Sequence, residues 1–338
     1  MFQDRNANPS ELETILKQRG QRILDRFEEV VVAGVNNSEL RSILLELTNS
    51  WGDMFRPTLT SLSCEAVGGQ PERADDAGLM FTIMAAGIGI HDDIIDQSSV
   101  NHFRKTILGR HGLEKALLVG DLLIVKAWTM IGEMIMKTHQ PNKIANIVKI
   151  YENLCVEICE AELMETSSKQ KLRTYREYPK EILWKAMAEA EACTRIGAIL
   201  GEGTDKEVQA LAKFGRRLGF IGRLIDDVKD SFNLEGNLPH RIQYESIPVP
   251  IIFAARSSKK NFRKIKSIIE KLPITPSDSR ELLKTCFESG SFAYILELAK
   301  KTKGEALRNL RLVQPSNARH ILSLMVKRSF ADLSDWCL

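Results

Sequence analysis

Two clusters of aspartate stand out for the chemistry their spacing allows. HDDIIDQS carries Asp92, Asp93 and Asp96, and LIDDVKD carries Asp226, Asp227 and Asp230, 134 residues further on. Both have the spacing i, i+1, i+4, which on a helix puts the first and last carboxylates on one face. Each closes an apolar stretch, the first of them AGLMFTIMAAGIGI, fourteen uncharged residues over 77–90. Like charges this close repel, and burial makes the repulsion worse. One such cluster reads equally well as a helix end reaching solvent. Two with the same spacing and context point instead to carboxylate walls facing each other across a cavity. Their oxygens suit a hard divalent cation, Mg²⁺ most naturally, which would in turn bind a phosphate-bearing ligand.

Other chemistries fit less well. An EF-hand needs a glycine turn and a closing glutamate, and neither cluster has them. His91-Asp92 has the form of a phosphohydrolase HD pair, but His91 is the first histidine in the chain and the upstream partner is missing. There is no P-loop, GxSxG or HExxH. The remaining histidines (102, 111, 139, 240, 320) are isolated and read as structural or surface residues. A net charge of +3 offers no dense basic face for nucleic acid. The six cysteines form no CxxC pair and read as reduced thiols of a cytoplasmic protein. The N-terminus is polar, and no signal peptide is expected from it. The apolar run at 77–90 is too short to span a bilayer, so no stable membrane insertion is expected.

The elements that must position the clusters are helices. NPSELETILKQRGQRILDRFEEVVV opens with Ser10 and Glu13 spaced as a capping box, then repeats apolar residues every three or four positions. The same periodicity returns in segments throughout the chain, including GLEKALLVGDLLIVKAWTMIGEMIM and DKEVQALAKFGRRLGFIGRLIDDVKD. No alternating strand pattern with hairpin turns is evident. The breaks are short and polar: 69–73, 167–173, 201–206, 233–250 and 273–278. With no linker among them, the chain reads as one all-α domain over 1–338, with a polar tail at 1–10 and a C-terminal extension at 329–338.

Two DDxxD motifs in an all-α chain of this length resemble the trans-isoprenyl diphosphate synthases, over about Trp51 to Arg328. DDIIDQS resembles the family's first aspartate-rich motif and DDVKD its second. WKAMAEAEACTRIGAILG is similar to its Lys-Thr helix, with Lys185 at the lysine and Ala186 in place of threonine. The resemblance implies the isoprenoid synthase fold, a large helical bundle around a central cavity, and a homodimer. It implies that Asp92, Asp93, Asp96, Asp226, Asp227 and Asp230 hold three Mg²⁺ ions, which grip the diphosphate of an allylic prenyl donor. Metals and nearby cations would stabilise the departing diphosphate and so favour an allylic carbocation. In the family, isopentenyl diphosphate then attacks, its own diphosphate held by a Lys-Arg pair, a histidine and an arginine.

The sequence departs from that pattern at the second diphosphate. The family's Gly-Lys-Arg-x-Arg-Pro reads Gly52-Asp53-Met54-Phe55-Arg56-Pro57, leaving Arg56. The histidine before the first motif is Ala85, and the Arg-Arg pair after it is Asn101-His102. Arg223 stands where glutamine is usual, and Ser246 near the usual loop lysine. Arg104, Lys105, Lys185, Arg223 and Lys229 are the available replacement cations. An enzyme that keeps the ionising clusters and loses the acceptor site resembles a class I terpene synthase, its cation trapped by its own double bonds or by water. That is the expectation carried forward. The alternatives are a chain-elongating prenyl diphosphate synthase with rewired isopentenyl binding and a non-catalytic subunit of a heteromeric synthase. The prenyl chain is expected below the first cluster along Ile88, Met84 and Phe81, with Trp184, Phe220 and Phe232 as further lining. Gly87, where a bulky family residue resembles a floor, implies a donor of C20 or longer; the simpler account of Gly87 is close helix packing.

Overall fold

The computed structural model describes residues 11–101, 103–137, 141–169, 171–172, 184–271 and 273–337. The tail at 1–10, with Ser10 of the expected capping box, and His102 lie outside them. The centre of the bundle is α4 (Asp75–Ile95), which packs along α6 (Leu113–Lys137) and against α3 (Phe55–Ala66). It is apolar around nearly its whole circumference, as a helix surrounded by others must be. Pro71–Ile95 is long and apolar enough by composition to cross a membrane, but Leu79, Met80, Phe81 and Ile83 are fully buried among neighbouring helices. The start of α4 is anchored electrostatically. Asp75 and Asp76 occupy its first turn, where the helix dipole favours negative charge. Arg22 and Arg26 of α1 (Glu11–Val32) pair with them at 2.6 and 2.9 Å.

The second scaffold pair is α8 (Trp184–Leu200) and α9 (Asp205–Phe232), the most intimately packed helices of the fold. Small residues let them approach. A Cβ on Gly219 would lie 2.1 Å from the Ala186 carbonyl oxygen, so only glycine permits α9 to back onto α8 beside Lys185. The start of α9 is set by a Thr204–Glu207 capping box. Around these cores lie α2 (Ser38–Ser50), α5 (Ile107–His111), α7 (Pro141–Ser167), α10 (Leu238–Tyr244), α11 (Val249–Arg256), α12 (Lys259–Ile269), α13 (Pro276–Glu288), α14 (Ser291–Leu310) and α15 (Asn317–Cys337).

Three features differ from the sequence reading. A two-residue antiparallel ribbon, Val100–Asn101 with Arg104–Lys105, follows the first cluster, too short to leave a strand pattern. The break at 233–250 contains α10, seven residues long and without a full helical repeat. Residues 329–337, read from sequence as a C-terminal extension, continue α15 to its end, with Leu333 fully buried and the Trp336 ring 5.2 Å from Phe232.

Candidate active site

Both aspartate clusters stand at helix C-termini. Asp92, Asp93 and Asp96 end α4, and Asp226, Asp227 and Asp230 lie in the last two turns of α9. Negative charge is disfavoured there by the helix dipole, so the positions cost stability unless a cation offsets them. The first helix stops at Asp96, whose N–H donates to the Asp92 carbonyl, and Gln97 follows with φ 55°.

The two clusters border one space, joined by residues from other helices. Lys185 at the start of α8 is 3.4 Å from Asp92 Oδ1 and 3.5 Å from Glu165, and it also contacts Glu162; both glutamates are on α7. Glu165 is 3.8 Å from Arg223, which lies 3.2 Å from Asp227. On the other side, Arg241 of α10 pairs with Asp227 and Asp230 and lies 3.7 Å from Glu245. Glu245 is 3.8 Å from His240, whose Nε2 is 3.4 Å from the Gln97 carbonyl just past the first cluster.

The crowding of carboxylates is visible in their proton affinities. Burial, then the charges of Asp92 and Glu245, push Asp93 up to about 7. Burial with Glu245, Glu165 and Asp92 pushes Asp96 to about 7, against the opposing Lys169. Burial raises Asp92 too, with Lys185 pulling the other way. Asp226 is open to solvent on one side, yet the surrounding protein raises it, against Arg223 and Arg241. Glu245 is the exception: burial would raise it, but His240, Arg241 and Arg223 hold it low.

The six aspartates do not play equal parts. Asp227 is fully buried; it accepts a 3.1 Å bond from the Val249 N–H and pairs with Arg241 and Arg223. Its carboxylate thus ties α9, α10 and the start of α11 together in this structure. Asp230 also contacts Arg241. Asp92, Asp93, Asp96 and Asp226 make no ion pair to an arginine among the described residues.

A divalent cation fits this donor set. The donors are hard carboxylate oxygens, and Asp96 Oδ1 is buried without a hydrogen-bond donor, Lys169 being its neighbour at 3.5 Å. The raised Asp93 and Asp96 carboxyls mark a site short of positive charge. Among the described residues no three ligands already converge at metal distance, so side chains would turn inward to bind one.

Several other sequence expectations change. Phe81 and Met84 are 0% and 1% exposed, so no water-sized space touches them and no open channel runs down that face. Gly87 sits in close helix packing: its added Cβ would meet Gly120 O, Ile124 and Leu123 at 3.0–3.1 Å. Phe232 packs on Phe287, Phe292 and Trp336 instead of lining a pocket. Ile88, Trp184 and Phe220 remain partly exposed, near Asp92, Lys185 and Arg223 along their helices. Arg104 and Lys105 are exposed on the ribbon and make no ion pair among the described residues. Arg223 Nη2 reaches Ser246 Oγ at 3.3 Å, so the guanidinium stands beside the serine that replaces the usual loop lysine.

Arg56 is engaged from two sides. It donates to Asp53 at 2.7 Å and to Glu189 of α8 at 2.7 Å, and these carboxylates raise its proton affinity against the opposing effect of burial. Arg56, the one basic residue left of that motif and a candidate substrate ligand from the sequence, has its charge matched by Asp53 and Glu189 in this structure. Glu162, Glu165, Glu189, Glu245 and Arg241 were all missed. EAELMET offered one signal, since Glu162 and Glu165 at i, i+3 share a helix face. Arg241 had none, because its role depends on the path of the chain after α9.

A polyprenyl synthetase family model matches residues 37–286, and the chain belongs to that family. It is 26% identical over 325 residues to a short chain isoprenyl diphosphate synthase of Methanothermobacter thermautotrophicus, covering 93% of this chain and 97% of the relative. The crystal structure of geranylgeranyl pyrophosphate synthetase from Pyrococcus horikoshii superposes with a TM-score of 0.80 at 25% identity, covering 95% of this chain and 98% of that one. A polyprenyl synthase from Caulobacter crescentus, complexed with calcium and isoprenyl diphosphate, gives a TM-score of 0.82 at 17% identity over 96% and 99%, a likeness of fold. The chain thus has the all-α isoprenoid synthase fold.

Proposed function

We propose that this chain is a prenyltransferase that ionises an allylic prenyl diphosphate and joins its prenyl group to isopentenyl diphosphate. The observation that carries this is the pair of carboxylate clusters at the ends of α4 and α9, bordering one space and linked through Lys185, Glu165, Arg223 and Arg241. The names of the relatives support chain elongation over the terpene synthase expected from the sequence. Magnesium bound at Asp92, Asp93, Asp96 and Asp226 would neutralise diphosphate and favour its departure. Lys185 and Arg223, now held by Asp92, Glu162, Glu165 and Asp227, would turn to the diphosphate once magnesium takes up carboxylate charge, and Ile88, Trp184 and Phe220 supply an apolar wall that keeps water from the cation.

One observation favours the second reading, release of a cyclised or hydrated product without an acceptor diphosphate. Arg56 is neutralised by Asp53 and Glu189, and Met54 and Ala85 replace two further acceptor ligands of the resembling family. Incubation of geranylgeranyl diphosphate and Mg²⁺ with and without labelled isopentenyl diphosphate separates the readings. A longer labelled prenyl diphosphate supports elongation; an unlabelled hydrocarbon or alcohol, formed equally without isopentenyl diphosphate, overturns it.

A homodimer is part of the proposal. Leu113, Leu117, Leu118, Val125 and Trp128 of α6 are 46–64% exposed, an apolar surface that a second copy would cover.

A further inference from the structure

We propose that the outer face of α12 docks this protein on an anionic lipid bilayer. The helix is amphipathic in an unusual sense. Ile265, Ile268 and Ile269 turn inward and are buried, while Lys259, Lys260, Arg263 and Lys266 share the opposite face. At 3.6 residues per turn those four cations fall within an arc of about 120°. Lys259, Lys260 and Arg263 make no ion pair among the described residues. Lys266 reaches Glu270 at 3.7 Å, and Lys264, on the flank, is taken by Glu281. Phe262 is 38% exposed at the edge of the basic face.

The patch belongs to a wider separation of charge. Residues 256–328 hold 17 Lys and Arg against 6 Asp and Glu, a net +11, while the rest of the chain is −8. The charge of this near-neutral chain is thus unevenly divided along its sequence, and the basic face of α12 lies in the positive segment. Basic clusters on an amphipathic helix are suited to acidic headgroups, and the field of such a surface acts within a Debye length. The exposed Phe262 decides between partners. A nucleic acid duplex would be met by the cations alone, whereas an aromatic ring beside them gains from the headgroup boundary of a bilayer. The docking follows from this surface alone and does not depend on the reaction proposed above.

Co-sedimentation of the full chain with vesicles tests it. Vesicles rich in phosphatidylserine should carry the protein down at low salt, phosphatidylcholine vesicles should not, and added salt should release it. Each exposed cation contributes about a fivefold change in binding, so the triple variant K259Q/K260Q/R263Q should bind about a hundredfold more weakly. A control with the same change in net charge, K149Q/K206Q/K213Q, should bind as the parent does. Equal loss in both variants, or no preference for phosphatidylserine, overturns the proposal. A DNA duplex that displaces the protein from the vesicles overturns the choice of lipid.

Discussion

Raising the pH of the metal-free protein should destabilise it, through the carboxyls of the first cluster. Asp93 and Asp96 titrate at about 7 in the fold, against an ordinary 3.8. Such a group binds its proton more tightly folded than unfolded. Its contribution to stability is complete below the unfolded value and is lost as pH rises through about 7. A carboxyl moved that far is worth at most about 4 kcal/mol. Partial contact with solvent and the shared field of Asp92 and Glu245 reduce this, to on the order of 2–3 kcal/mol for both together. In a chain of this size that corresponds to about 3–4 °C in melting temperature. The assay is thermal unfolding in chelator from pH 5.5 to 8.5, with Tm expected to fall across the range. His240, raised by its bond to Glu245, acts in the same direction, so the variant D93N/D96N isolates the pair and should flatten most of the slope. Magnesium should restore Tm at pH 8.5 and do less at pH 5.5, where protons compete for the same oxygens. A parent Tm that rises with pH would refute the reasoning, as would magnesium stabilising the double variant as much as the parent.

Three further substitutions probe how the site is held. Gly87→Leu should cost about 2–3 kcal/mol in denaturant unfolding, because α6 already stands within 3.0–3.1 Å of the added Cβ; a stable variant making a shorter product would restore the chain-length role. Arg241→Met should cost about 3 kcal/mol or more, since it strips the fully buried Asp227 of a counter-charge; unchanged stability would mean that Arg223 and the Val249 N–H suffice. Trp336→Ala should cost about 2–4 kcal/mol by opening a void against Phe232, two residues beyond Asp230; a variant as stable as the parent would show the end of α15 to be dispensable.

The helical class and the two clusters were legible because both are local in sequence. Periodicity reports which face is buried, and the i, i+1, i+4 spacing reports which carboxylates share a face. What could not be read was which carboxylate is already committed. Asp226 and Asp227 are neighbours in a motif, yet one opens to the site and the other is locked under Arg241 and the Val249 N–H. That distinction is made by α10, a seven-residue helix in what reads as a polar break. Arg56 has a similar lesson. Its type marks it as an anion ligand, and only the packing of α3 on α8 reveals that Glu189, 133 residues away, has already matched its charge. Gly87 was open to two accounts in sequence, and the closeness of α6 supports the packing one.

The central claim is that the two clusters act together as a magnesium-dependent diphosphate site. Its most direct test is diphosphate release from geranylgeranyl diphosphate by the parent and by D92N and D226N, with and without Mg²⁺. The account predicts release by the parent only with magnesium, and a loss of at least about a hundredfold in either variant, because the lost interaction is with charge that develops in the transition state. Release that persists in chelator, or that survives when either aspartate is neutralised, would contradict it.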